Sequence, residues 1–403
     1  MVKETIITLY LQVCKVMFAF FKTFRLKRKV TFLTSFGQNS IYVLEEMKRR
    51  GVACEVVFLY EKTCPYVLDS VEGVRALRLD SGNPIDWLRS IYHMATSKTI
   101  ILDNYFAILS AFEFREGVEC IQLWHAAGAI KKFGLKDRSV PKRRKQAIRR
   151  FRKVYERFHK VAVGSEAMAE IFTEAFDLPP ENMIRTGVPR TDLFFDSEKI
   201  ERITEQLRNA NPALQDKKVI LYAPTFRDGQ RDGFECRLDF DSMERALKDT
   251  HVLLLRFHPT VTRRNDYERT HPGFVFDYSD HPDVNELLLI TDVLVTDYSS
   301  IPYEFSLLRR PMIFFTKDQQ EYKRQRGYFG DYESIVPGPV TNDTKSVIEL
   351  LLKGEFDMGR IERFSQLWNR YSTGQSSKNV VDYLVEGGKQ AEWSARERKE
   401  PVF

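Results

Sequence analysis

The 403-residue chain reads as an α/β protein of two domains, each a parallel sheet covered by helices on both faces. Three observations predict this. Short apolar runs that read as strands alternate with longer helical stretches along most of the chain. Several of these runs end in polar or small residues, as parallel strands do where their carboxyl ends face a crevice. A turn-rich connector, Asn182 to Asp192, separates an earlier set of strands from a later one. No sequence repeat links the two sets; only the architecture is similar.

Composition agrees. The chain is 43% hydrophobic and 29% charged, which excludes a disordered polymer and is ample for a sizeable core. Its net charge of +6 is mild, so the distribution of charge is more informative than the total. Five scattered cysteines (Cys14, Cys54, Cys64, Cys120, Cys236) lack metal-ligand or redox spacing, and a reducing cytoplasm follows. The first residues have neither the basic start nor the small-residue site of a cleavable signal.

Residues 1–29 are expected to form an amphipathic, membrane-associating helix with a basic flank. From Glu4 to Phe24 the chain is mostly apolar but is interrupted by Gln12, Lys15 and Lys22, and Arg25-Leu26-Lys27-Arg28-Lys29 follows. A central lysine costs about 2.5–3.5 kcal/mol on insertion. An interfacial helix is therefore favoured over a span, and a helix packed on the domain's own core is the plain alternative.

Residues 30–194 form the expected first domain. Val30–Leu33, Cys54–Leu59 and Lys98–Asp103 read as strands, with helices between them. The Gly37 loop is not a dinucleotide fingerprint. Val118–Ile121 leads into Gln122-Leu123-Trp124-His125-Ala126-Ala127-Gly128-Ala129. A histidine at a strand's carboxyl end is placed for chemistry and can take a proton near neutral pH, while the small residues would admit a ligand to the backbone. The plain alternative is a histidine capping the next helix.

A basic run from Lys131 to Lys160 follows, including Lys142, Arg143, Arg144, Lys145, Arg149 and Arg150. It reads first as a surface for anionic lipid or lipid phosphate, then as a solvated helix face. Nucleic acid is not expected, because no recognition motif accompanies the run. Val161–Ser165 is a short strand whose Ser165 caps the next helix.

Residues 195–375 form the expected second domain, and 376–403 a C-terminal helix with a polar tail, frayed from Ala391. Strands are expected at the start of Lys218–Arg227, in Val252–Pro259 with its charged tip, and at Phe274–Phe276, Val293–Thr296 and, last, Pro311–Phe315. Three of them end alike: Thr225 and Arg227 after one, Arg256 and His258 after the next, and Thr296, Ser299 and Ser300 after the third. Hydroxyls, arginines, a protonated histidine and the amides opening the helix that contains Glu304 would together bind an anion, a pyrophosphate better than a carboxylate. A base on one domain and a phosphate cradle on the other suggest a cleft between them, as in two-Rossmann-domain, nucleotide-dependent transferases.

Taken as an ordered series, these residues resemble the CDP-glycerol glycerophosphotransferase family of teichoic acid synthesis. The series comprises Leu123-Trp124-His125, Gly187-Val188-Pro189-Arg190-Thr191-Asp192, Ala223-Pro224-Thr225-Phe226-Arg227, Arg256-Phe257-His258-Pro259 and Thr296-Asp297-Tyr298-Ser299-Ser300. Glu304-Phe305, Arg309–Phe315, Asp318, Tyr322 and Arg326-Gly327 continue it. The resemblance implies a GT-B-like fold on a peripheral protein at the cytoplasmic side of the cell membrane. It also implies transfer of glycerol phosphate from CDP-glycerol to a hydroxyl of an undecaprenyl-diphosphate-linked acceptor, with release of CMP.

Carried over residue by residue, it makes His125 the general base and His258 a catalytic partner at the pyrophosphate. Ala126, Ala127, Gly128, Ala129, Arg190, Pro224, Thr225, Arg227, Arg256, Phe257, Thr296, Asp297, Ser299, Ser300 and Glu304 would hold the donor. No cofactor or metal ligand set is expected, although Asp297 could meet a diffusible Mg²⁺ beside the phosphates. Trp124-His125-Ala126 departs from the Trp-His-Gly of many members. This form, without their long N-terminal extension, resembles the primase branch, which adds one glycerol phosphate to an N-acetylmannosaminyl-N-acetylglucosaminyl lipid. Glycerol- or ribitol-phosphate polymerases, second-step transferases and nucleotide-sugar glycosyltransferases are the alternatives. A non-enzymatic binding protein would leave Thr225, His258 and Ser299 unexplained.

Overall fold

The computed structural model describes residues 2–227, 236–258, 261 and 264–386. Pro259 and the tail from Ala391 lie outside the described residues. The chain divides into two compact units. One holds residues 1–125, 133–192 and 371–403, and the other residues 126–132 and 193–370.

The first unit is built on a parallel sheet of seven strands in the order β3-β2-β1-β4-β5-β6-β7: β1 (Lys27–Thr34), β2 (Glu55–Tyr60), β3 (Val74–Arg78), β4 (Ser97–Leu102), β5 (Glu119–Gln122), β6 (Lys160–Ala162) and β7 (Met183–Ile184). The order reverses between β1 and β4, which places a switch point at their carboxyl ends. The inner strands are continuous apolar runs because helices cover both faces. Phe32, Phe58, Ile101 and Ile121 meet in the core.

Five helices belong to this stretch: α1 (Val2–Phe21), α2 (Gln38–Arg49), α3 (Pro84–Thr96), α4 (Lys145–Tyr155) and α5 (Glu166–Phe176). Ser165 caps α5 by accepting from the Met168 amide. In α1, Cys14 and Phe18 are buried, and Phe18 stacks on Phe112 at 4.2 Å. Ile6, Leu9, Val13, Val16 and Phe20, spaced alternately by three and four, leave an apolar stripe exposed along the helix.

The second unit repeats the order with a six-stranded parallel sheet, β10-β9-β8-β11-β12-β13: β8 (Lys218–Ala223), β9 (His251–Leu255), β10 (Val275–Asp277), β11 (Val293–Thr296), β12 (Met312–Phe315) and β13 (Val340–Thr341). Its switch point lies between β8 and β11. The fold class expected from the sequence is present, with differences at the margins. β3, β7 and β13 are strands that the apolar pattern did not mark, and β12 is followed by β13 rather than being last.

The second unit ends at Arg370, not at residue 375, and it includes 126–132. Residues 371–386 return to the first unit. There the helix Ser376–Glu386 is capped by Asp192, whose carboxylate accepts from the Ser376 and Ser377 amides at 2.8 Å each. Val380 and Val381 of this helix complete the first core. Gly187, at φ 82°, lies so close to Ser376 and Tyr371 that a Cβ would overlap both.

Candidate active-site residues

In the first unit, β5 delivers His125 to the carboxyl edge beside the switch point. Trp124 adopts a left-handed conformation (φ 57°), rare for a bulky residue and strained by about 1–3 kcal/mol. Its amide donates to Gln122 Oε1 at 2.8 Å, and its carbonyl accepts from Asn39 Nδ2 at 2.8 Å. Asn39 Oδ1 in turn accepts from the Arg190 amide at 2.9 Å, and the Arg190 guanidinium donates to Gln38 Oε1 at 2.8 Å. Arg190 is therefore buried within the loop system around His125.

His125 Nδ1 lies 3.0 Å from the Asp103 backbone carbonyl. A carbonyl only accepts, so the proton sits on Nδ1 and Nε2 is the basic nitrogen of the neutral ring. Phe36 and Trp124 stack on the ring with centroids 4.4 Å away, at 24° and 27°. The Asp103 carboxylate accepts from the amides of Ser35, Phe36 and Gly37 at 2.8, 3.0 and 2.7 Å. Burial raises Asp103 to about 6, against the pull of those amides.

Arg150 pairs with Glu4 of α1 at 2.7 Å, and Glu4 is held below the usual carboxylate range by it. Lys142, Arg143, Arg144, Lys145 and Arg149 stand exposed.

In the second unit, Ala127, Gly128 and Ala129 are buried and Ala126 is half-buried. The small residues serve a protein contact: a Cβ on Gly128 would overlap the Tyr303 ring. Glu304, 1% exposed, accepts from the Ala127 amide at 3.2 Å. The segment is stitched further by Phe329 donating to the Ile130 carbonyl and Lys132 donating to the Gly327 carbonyl.

At the strand tips the residues divide into those committed to the fold and those with capacity left. Thr296 donates to the Ala223 carbonyl across the switch point at 2.6 Å. Asp297 Oδ1 accepts from the Thr225 and Tyr298 amides at 2.8 and 2.6 Å, and Oδ2 takes Arg227 at 2.8 Å. Arg227 also pairs with Asp318 at 2.8 Å and lies over the rings of Tyr298 and Tyr322. Arg256 donates to the carbonyls of Tyr278 and Ser279, and Phe257 is buried with its amide on Ser279 Oγ at 2.9 Å. Arg227, Arg256, Asp297 and Thr296 therefore shape the edge.

Pro224 is buried beside Thr225, whose Oγ1 is buried and has no hydrogen-bond partner among the described residues. Ser299 Oγ accepts from the Ile301 amide at 3.2 Å, and Ser300 precedes the short helix Ile301–Phe305 without a side-chain cap bond. His258 is exposed, yet the surrounding protein, with the Lys131 and Arg256 cations, lowers it to about 4. It is neutral at pH 7, not the cation expected, because desolvation by the surrounding protein disfavours the charged ring first and the Lys131 and Arg256 cations add to this. Among the described residues no group of three potential ligands could hold a metal.

Sequence reasoning missed Phe36, Asn39 and Asp103 around His125, and the part Asp318 plays in holding Arg227. The available signals were an acidic residue closing β4 at the switch point and an aromatic in the loop after β1.

Two sheets in Rossmann order, with polar carboxyl ends at both switch points, are the architecture of two-domain transferases that use nucleotide-activated donors. The chain belongs to the CDP-glycerol:poly(glycerophosphate) glycerophosphotransferase family, whose model matches residues 16–386, and it is a transferase of that family. It is 37% identical over 356 residues to the teichoic acid glycerol-phosphate primase of Bacillus subtilis strain 168, covering 88% of this chain and 91% of that protein. It is 39% identical over 298 residues to a teichoic acid poly(ribitol-phosphate) polymerase of Bacillus spizizenii, covering 73% of this chain and 47% of that one. A structure of the wall teichoic acid polymerase TagF shares the fold, with a TM-score of 0.79 at 22% identity over 93% of this chain and 94% of the other.

Proposed function

We propose that the protein is a teichoic acid glycerol-phosphate primase. It would transfer one glycerol phosphate from CDP-glycerol to a hydroxyl of an undecaprenyl-diphosphate-linked N-acetylmannosaminyl-N-acetylglucosaminyl acceptor. The observation that carries this reading is the similarity to glycerol-phosphate primases along nearly the whole chain, 37% over 88% of it for one and 34% over 90% for another.

In this reading His125 Nε2 takes the proton of the acceptor hydroxyl while that oxygen bonds to the phosphorus bearing glycerol. The bond from that phosphorus to the bridging oxygen breaks, and CMP leaves with the electron pair. Neutral His258, the Thr225 hydroxyl and the Ser299–Ser300 turn would donate to the diphosphate. Phosphoryl transfer depends chiefly on positioning and on charge relief of this kind. Arg227, Arg256, Asp297 and Glu304 would act by holding those donors in place. A Mg²⁺ at Asp297 would have to displace Arg227, so no metal step is proposed.

We also infer that the protein lies on the anionic, cytoplasmic face of the membrane. The segment Glu4–Phe21 is long and apolar enough to span, with a mean hydropathy of 1.4. Burial of Cys14 and Phe18 against the first unit favours a helix lying flat instead, with its apolar stripe in lipid and the α4 cations beside head groups.

The test is CMP release from CDP-glycerol with the lipid-diphosphate disaccharide, wild type beside His125→Ala. Acceptor-dependent release that disappears in the variant, with one unit added by mass, is expected. Many units would make the protein a polymerase. Turnover only with CDP-ribitol or a nucleotide sugar would overturn the donor.

A further inference from the structure

Phe36 is 40% exposed, yet its ring stacks on that of His125. With Trp124 on the other side, the imidazole sits between two near-parallel aromatic faces at 4.4 Å. The loop that carries Phe36 is held by Asp103, whose carboxylate takes three consecutive amides, Ser35 to Gly37. The same residue's carbonyl takes His125 Nδ1. One residue thus sets both the rotation of the imidazole about its plane and the aromatic lid over its face. Gly37 allows the turn, at φ 87°, where a Cβ would press on Tyr66.

We propose that Phe36 is a positioning residue for His125, holding the plane of the imidazole and, through its π-face, stabilising the imidazolium formed when the ring takes a proton. An aromatic face attracts a cation, and the benefit exists only in the protonated state, so it acts where charge develops. The Asp103 carboxylate faces the loop amides, Glu61 accepts from Ser35 Oγ at 2.6 Å, and the Arg190 guanidinium donates to Gln38. The stacked rings, with centroids 4.4 Å from the imidazole, respond directly to charge on His125. The proposal rests on His125 being the base, but its first readout does not.

The experiment compares wild type, Phe36→Leu, Phe36→Tyr and His125→Gln in the full chain, labelled at histidine Cε1. The His125 resonance is assigned by its loss in His125→Gln and followed by NMR against pH. Leucine keeps the apolar cover and removes the π-face, so the midpoint should fall by about half a pH unit, ~0.7 kcal/mol by linkage. Tyrosine should restore it. The acidic limb of kcat/KM should move down by the same amount in Phe36→Leu.

A midpoint unchanged or raised in Phe36→Leu, or alike in Phe36→Leu and Phe36→Tyr, overturns the proposal. If Phe36→Leu does not fold, Phe36→Met carries the same comparison. Turnover that persists in His125→Gln alongside the expected midpoint shift would sink the base assignment and leave the stack standing.

Discussion

Arg227→Met separates holding the edge of the second sheet from gripping the donor. In the native chain the guanidinium bonds Asp297 and Asp318 at 2.8 Å each, with side-chain exposures of 11%, 5% and 16% for Arg227, Asp297 and Asp318. Methionine replaces the volume and leaves both carboxylates. Asp318 keeps Arg237 at 2.9 Å, but among the described residues Asp297 keeps only the Thr225 and Tyr298 amides. Stranding one member of a buried pair costs about 3–5 kcal/mol, and the loss of the Tyr298 and Tyr322 faces adds about 1 kcal/mol.

Hydrogen exchange in β8 and β11 should therefore rise strongly. Asp297→Asn in the Arg227→Met background should recover part of the loss, since the amide oxygen still accepts from Thr225. If exchange stays within about 1 kcal/mol of wild type while CDP-glycerol affinity collapses, Arg227 binds the donor directly and the holding role is refuted.

Three further outcomes follow from the same geometry. His258, lowered to about 4, should be pulled up when a diphosphate arrives, so donor binding takes up protons and tightens from pH 7 to pH 5. Calorimetry in buffers of different ionisation heat would detect this uptake, and an uptake unchanged in His258→Gln would assign it elsewhere. Gly128→Ala drives a methyl into the buried Tyr303 ring and should cost about 1–3 kcal/mol or more in denaturant unfolding; an unaltered midpoint contradicts the packing. Asp192→Ala removes the acceptor of two helix-opening amides, worth about 1–2 kcal/mol, and should raise exchange across Ser376–Glu386 ahead of the sheet.

The sheets were legible because their inner strands are buried on both faces and show as uninterrupted apolar runs, Val219 to Ala223 or Val293 to Val295. The strands that escaped lie toward the margins. β3 is a half-exposed Val-Arg-Ala-Leu-Arg, and β7 and β13 are two residues each, too short for any periodicity. The allegiance of 126–132 was hidden because it is decided by Glu304, 177 residues on from Ala127.

Residue type and strand-tip position single out His125, Thr225 and His258, but do not tell groups already committed to the fold from groups with capacity left. An arginine after a strand looks the same whether it awaits a phosphate or already holds a carboxylate. Arg227 differs from a free cation through Asp297 and Asp318, 70 and 91 residues away, and Arg256 through two carbonyls of the next loop. His125 was found by its motif, yet the Asp103 carbonyl that sets its tautomer lies 22 residues away, and Asp103 meets the Phe36 amide across 67. In the proposed reading, reactivity falls to the groups that retain hydrogen-bonding capacity once the fold has taken its share. The buried Thr225 hydroxyl, with no partner among the described residues, retains it where the Arg227 guanidinium does not.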